Sequence, residues 1–359
     1  MSSPLLLEVF AMNIKRGFAS DNNSGIHVKI LKAIESANRG HCIAYGDDPF
    51  TNSAMEKFRE HFGSDIDVYF LFTGTASNVL SLKAVTRTFN SIICSDVSHL
   101  NVDECGAPEN YLGTKLCIVQ TEDGKLRPYQ IEHFLEVFGN EHRTQPKAIS
   151  LTQPTELGTV YRPEEIKALA DIAHKNKMWL HMDGARIANA SASLGVDLRT
   201  ITENAGVDLV SFGGTKNGMM IGEAVVFFDK KISEDFKYIR KQGMQLGSKM
   251  RFISAQFTAY LTDNLWLDNA MHANSMATLL ASELEQIPGI KIAQKVEANG
   301  VFAIIPEKYI KDIQKEHFFY VWDKNGPVVR LMTSWDTTED DIRGFIHTVK
   351  RVMNGDTIL

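Results

Sequence analysis

A primary amine in a glycine-rich turn, a carboxylate and a histidine that each close an apolar run, and a small-residue turn opening a helix are the parts of this chain able to do chemistry. The amine is Lys216, within Ser211-Phe212-Gly213-Gly214-Thr215-Lys216-Asn217-Gly218. It is entered from Val207-Asp208-Leu209-Val210 and followed by Glu223-Ala224-Val225-Val226-Phe227-Phe228, so it is expected where two buried strands meet a ligand cavity. The carboxylate is Asp183, in Asp183-Gly184-Ala185-Arg186, 33 residues before Lys216. The histidine is His99, and the turn is Thr73-Gly74-Thr75. A primary amine forms a Schiff base with an aldehyde, and a buried carboxylate keeps a pyridine nitrogen protonated. Unpaired N–H groups at a helix start take a phosphate, and an imidazole stacks on a ring. Together these are the parts of a pyridoxal 5′-phosphate site, with Lys216 carrying the cofactor. Each has a plainer reading alone: a βα turn without ligand, a structural histidine, a surface Asp/Arg pair, a solvated lysine. Those readings do not require the set to recur at successive strand ends.

The elements that must position these groups alternate. Residues 66–72 read as a buried strand and 76–85 as a helix with Ala76, Leu80 and Ala84 aligned. Apolar runs at 91–94, 116–120, 148–152, 178–182 and 209–212 continue the strands. Pro163-Glu164-Glu165 opens a helix in the preferred way, with Ile166, Leu169, Ala170 and Ala173 as its core face. Helices are expected over 28–37 and 52–62, after a polar, turn-forming stretch at 12–25. Beyond 228 come helices at 234–240, 254–262 and 265–284, the last long enough to bridge two domains. Short strands at 301–305, 318–322 and 328–332 then alternate with helices at 307–316 and 339–353. The expected fold is α/β: a large domain over 1–264, including an N-terminal arm, with a mostly parallel sheet, and a smaller C-terminal α+β domain over 265–359. Polar groups at the C-terminal ends of its strands would face the ligand.

Composition narrows the function. Of 359 residues, 44% are hydrophobic and 23% charged, the balance of an ordinary globular protein. A net charge of −6 without a Lys/Arg block argues against a nucleic-acid role. Cys42, Cys94, Cys105 and Cys117 show no CxxC spacing, so neither a disulfide framework nor a zinc site is expected. Pro4-Leu5-Leu6-Leu7 has no basic flank and is interrupted by Glu8, unlike a secretory signal, and no run approaches a membrane span. The expected location is cytoplasmic.

On Ser20-Asp21-Asn22, Tyr45-Gly46-Asp47-Asp48-Pro49, Thr73-Gly74-Thr75-Ala76-Ser77-Asn78, His99, His181-Met182-Asp183-Gly184-Ala185-Arg186, Gly213-Gly214-Thr215-Lys216-Asn217-Gly218 and Val329-Arg330-Leu331-Met332-Thr333, the chain resembles the threonine aldolase family. This is the β-eliminating lyase branch of fold-type I, aspartate aminotransferase-like pyridoxal-phosphate enzymes, and the resemblance leans to low-specificity L-threonine and phenylserine aldolases. It implies cleavage of L-threonine or L-allo-threonine, and of other β-hydroxy-α-amino acids such as phenylserine, to glycine and an aldehyde. It makes Lys216 the Schiff-base lysine, Asp183 the partner of the ring nitrogen and His99 the residue stacked on the ring. Gly74 and Thr75 cradle the phosphate. Ser20, Arg186 and Arg330 contact the substrate carboxylate or the cofactor's phenolic oxygen, with Arg330 chosen as the carboxylate clamp. A homodimer or homotetramer with interface active sites is implied, and Lys249-Met250-Arg251 is a candidate to reach a neighbouring site.

One departure concerns the base for the β-hydroxyl. Part of the family has a second histidine after the strand at 148–152; here Gln153-Pro154-Thr155-Glu156-Leu157-Gly158 follows. His99, Glu156 or a bound water are the alternatives. The rival activities are another pyridoxal-phosphate lyase or an aminotransferase acting on a small amino acid. A nucleotide-binding module would need GxGxxG or GxxxxGK[ST], and neither is present.

Overall fold

The computed structural model describes residues 15–322 and 326–355; residues 1–14 of the expected N-terminal arm lie outside them. Seven strands form the main sheet: β1 (Asp67–Leu71), β2 (Asn90–Ser95), β3 (Lys115–Val119), β4 (Gln145–Thr152), β5 (Trp179–Gly184), β6 (Leu209–Gly213) and β7 (Glu223–Phe227). Their order is β1-β7-β6-β5-β4-β2-β3. Strands β3 to β6 and β2 run parallel, and β7 pairs antiparallel with both β6 and β1. The sheet is therefore mostly parallel, as its unbroken apolar strands require when helices cover both faces.

Register brings the polar strand ends into one row. Thr152 lies opposite Asp183, and Asp183 opposite Ser211. Glycine allows the strand ends to close up: a Cβ on Gly184 would sit 2.8 Å from the Ser211 carbonyl oxygen, and one on Gly213 only 2.5 Å from the Ala185 carbonyl oxygen. The backbone contact at Gly213 brings the lysine turn against the segment carrying Asp183 and Arg186.

A four-stranded antiparallel sheet, ordered β10-β11-β9-β8, comprises β8 (Lys291–Ile292), β9 (Gly300–Ile304), β10 (Tyr320–Val321) and β11 (Val328–Met332). The helix Leu265–Glu285 joins the two sheets. Leu265, Trp266 and Ala270 enter the core of the main sheet, and Ala277, Leu280 and Leu284 that of the small one. Phe18 also packs into the small sheet's core, 5.1 Å from the Phe345 ring, and its carbonyl accepts from Met332 N–H at 2.8 Å. The expected helix at 234–240 is observed as Phe236–Gln242, and a separate short helix, Lys230–Ser233, capped by Asp229, precedes it. The expected strand at 318–322 shortens to Tyr320–Val321, the edge of the small sheet.

Candidate active site

Lys216, His99, Arg186, Ser20 and Arg330, from five separate segments, line one cavity of about 680 Å³ between the two sheets. Glu156 and Thr155 belong to the same wall. Asp183, Gly74 and Thr75 do not line it, yet the charge of Asp183 is felt by both Lys216 and His99.

Lys216 sits in a single 3₁₀ turn, Thr215–Asn217, closed by Gly218 at φ 100°. Burial lowers its ammonium pKa and Arg186 lowers it further, which favours the free amine that attacks a carbonyl carbon. Asp183 is 4% exposed. Its Oδ2 accepts from Asn78 Nδ2 at 2.8 Å and its Oδ1 from Ala185 N–H at 3.0 Å. Two residues earlier on β5, the buried His181 bridges Ser150 Oγ (2.9 Å) and Ser211 Oγ (3.2 Å), and burial lowers it to about 4, so the ring is neutral.

His99 opens the helix His99–Val102. Its Nδ1 meets Glu104 Oε1 at 2.7 Å, a bond that raises its pKa. The His99 N–H donates to Glu156 Oε1 at 2.7 Å, which also accepts from Thr152 Oγ1 at 2.8 Å. Glu156 Oε2 is buried without a partner among the described residues. Burial, then the charge of Asp183, raises the Glu156 carboxyl to about 7.

At the helix start Gly74–Val85, the Thr73 hydroxyl accepts from Ala76 N–H at 3.3 Å and Thr73 O from Ser77 N–H at 3.0 Å. The amides of Gly74 and Thr75 precede these bonds. A Cβ on Gly74 would meet no atom within 4 Å, so open space lies beside the start of this helix.

The two arginines differ. Arg186 is held by the buried Asp21, and Asn299 Nδ2 adds a third donor to that carboxylate at 3.1 Å. Arg330 makes one long bond, Nη2 to Ala19 O at 3.5 Å, and its Nε is without a partner among the described residues. Burial, then Arg186, lowers its pKa. Among the described residues, fewer of its donors are engaged than those of Arg186.

Asp21, Asn78, Glu104, His181 and Asn299 complete this network; the first two and His181 stood in the motifs that carry the resemblance without a role of their own, and Glu104 and Asn299 were not named. His181 carried a further signal, two residues before Asp183 and so on the same strand face. In the loop proposed to reach a neighbour, Met250 is core and Arg251 donates to Gly40 O at 3.2 Å, leaving Lys249 exposed.

A family model described as beta-eliminating lyase matches residues 17–308. The chain belongs to that family. It is 45% identical over 338 residues to a low specificity L-threonine aldolase of Pseudomonas aeruginosa, covering 94% of this chain and 97% of the relative. A low specificity L-threonine aldolase of a second Pseudomonas strain is 44% identical over 339 residues, covering 94% and 98%. A solved threonine aldolase structure from Leishmania major superposes with a TM-score of 0.88 at 30% identity, covering 93% of this chain and 98% of that one. This beta-eliminating lyase has the fold-type I architecture, and its cofactor is pyridoxal 5′-phosphate. The residues present fit that group: an amine whose charged form burial disfavours, a buried hydrogen-bonded carboxylate, and a helix start with open space beside it.

Proposed function

We propose that this chain cleaves L-threonine and L-allo-threonine, and related β-hydroxy-α-amino acids, to glycine and an aldehyde by a pyridoxal-phosphate-dependent retro-aldol reaction. The observation that carries this reading is the convergence of Lys216, His99 and the donor-rich Arg330 on one cavity. In it, Lys216 holds the cofactor, Asp183 keeps the proton on its ring nitrogen, and the Gly74 and Thr75 amides take its phosphate. Arg186 and Ser20 lie beside the substrate. When bound, the cofactor supplies an electron sink for the pair left on Cα as Cα–Cβ breaks.

Arg330 would bind the substrate carboxylate and so fix the orientation of the bonds at Cα, which selects the one that breaks. His99 takes the β-hydroxyl proton: with Nδ1 engaged by Glu104, Nε2 remains, and the Glu104 bond strengthens it as a base. Glu156, whose outer oxygen is buried, holds the His99 backbone in place.

The reading extends to a large domain over 1–264 and a small one over 265–359, a homodimer or homotetramer whose interfaces complete the sites, and a cytoplasmic location. No described helix is long and apolar enough to cross a membrane. The decisive assay incubates the protein with the four threonine stereoisomers and phenylserine and measures glycine and aldehyde. Glycine released with acetaldehyde from L-threonine or L-allo-threonine supports the proposal. Transamination with no glycine formed overturns it.

A further inference from the structure

Arg330 is the middle residue of β11, an inner strand of the small sheet. It lies directly opposite Phe302 of β9 on one side and Tyr320 of β10 on the other. Alternation along the strands sends Val329, Leu331, Val301 and Ala303 into the small sheet's core, so Arg330, Phe302 and Tyr320 share the opposite face, which walls the cavity. Trp322, two residues beyond Tyr320, continues that face. Its N–H donates to Val328 O at 2.8 Å, extending the ladder, and its ring stands edge-on to Phe302 at 5.4 Å.

The guanidinium of Arg330 lies 5.0 Å from the Trp322 ring centroid and 5.6 Å from that of Tyr320. We propose that Trp322, with Tyr320, is a positioning residue for amino-acid binding: the ring bracket aims the Arg330 guanidinium into the cavity with its N–H edge free. The inference rests on the reading of Arg330 as the carboxylate clamp. Two features call for such a bracket. Among the described residues the side chain has almost no hydrogen bonds to hold it, a single contact at 3.5 Å and an orphaned Nε. It also stands near a second cation, Arg186, which would push it away from the place where a carboxylate binds. Aromatic faces attract a guanidinium through its plane and leave the in-plane donors unspent, whereas a carboxylate partner would consume them. Arg186, gripped by Asp21, shows that second arrangement and has correspondingly fewer donors to offer.

The test uses the holoenzyme with Trp322→Leu, Trp322→Phe and Arg330→Ala, and measures the cofactor's spectral change on titration with glycine and with ethanolamine, the amine that lacks the carboxylate. Threonine KM and kcat are read alongside. Trp322→Leu is expected to weaken glycine binding and raise KM about three- to tenfold, the range of a partly buried cation–π contact. Ethanolamine binding and kcat should change less than about twofold, and Trp322→Phe should recover most of the loss. Unchanged glycine affinity in Trp322→Leu, or equal weakening of glycine and ethanolamine, overturns the bracket. If Arg330→Ala itself leaves glycine affinity unchanged, the clamp reading has failed instead, a result distinct from loss of the bracket alone.

Discussion

Arg186 grips Asp21 through two parallel hydrogen bonds, Nε to Oδ2 at 2.5 Å and Nη2 to Oδ1 at 2.9 Å, tying the segment that carries Ser20 to the one that follows Asp183. Burial opposes the charge on Asp21, and Arg186 overcomes it, holding the carboxyl at about 2 against 3.8 for the free group. The unfolded chain then binds the proton more tightly than the folded one. The contribution is complete above about pH 4 and is lost as pH falls toward 2. Asp21→Asn should cost about 2 kcal/mol at pH 7, in line with the shift. Urea unfolding of both proteins from pH 7 downward checks this: the gap should narrow below about pH 4, and a constant gap would contradict it.

Lys216→Ala should abolish the near-visible absorbance of covalently held cofactor and reduce turnover by on the order of 10³-fold or more, since no second amine lines the cavity among the described residues. Borohydride treatment followed by mass analysis gives the independent readout. A reduced protein–cofactor adduct persisting in the variant would assign the covalent role to another residue.

Glu156 gives a pH effect of the opposite sign to Asp21. Its carboxyl is raised from 4.5 to about 7 by burial and then by Asp183, so the folded state binds the proton more tightly. The stability this confers is present below about pH 4.5 and disappears as pH rises through 7. Glu156→Gln keeps an oxygen for the His99 and Thr152 donors and cannot ionise. Between pH 5 and 8, the cofactor-free wild type should lose up to about 3 kcal/mol relative to the variant in urea unfolding. Parallel pH profiles would show that Glu156 is ionised throughout.

The strands and the chemistry at their ends were legible because both are local: β-branched runs, glycine turns and the residues that follow them lie within a few positions of each other. Lys216, His99, Arg186, Ser20 and Arg330 do share a cavity. What holds them was not legible. Asp21 meets Arg186 across 165 residues and Asn78 meets Asp183 across 105, pairings that depend on the completed sheet. Glu104 has no motif around it. The Trp322 bracket follows from register between short edge strands, where one residue of slip would turn the rings to the other face.

Two glycines separate the needs of the fold from those of the site. A Cβ on Gly213 would stand 2.5 Å from the Ala185 carbonyl oxygen and 2.7 Å from its Cα, contacts with backbone that has no rotamer to yield. Gly213→Ala should therefore destabilise the protein by about 1–3 kcal/mol and displace the lysine turn. Gly74 has no atom within 4 Å of such a Cβ and lies at the start of a helix, where alanine is the better former. Gly74→Ala should leave the fold intact or raise stability by up to about 1 kcal/mol. Yet its methyl enters the space proposed for the cofactor phosphate, so cofactor retention on dialysis should fall. Thermal unfolding of both variants without cofactor, set beside cofactor affinity by spectral titration, checks the pair. A Gly74→Ala protein that holds pyridoxal phosphate as tightly as the wild type would place the phosphate elsewhere.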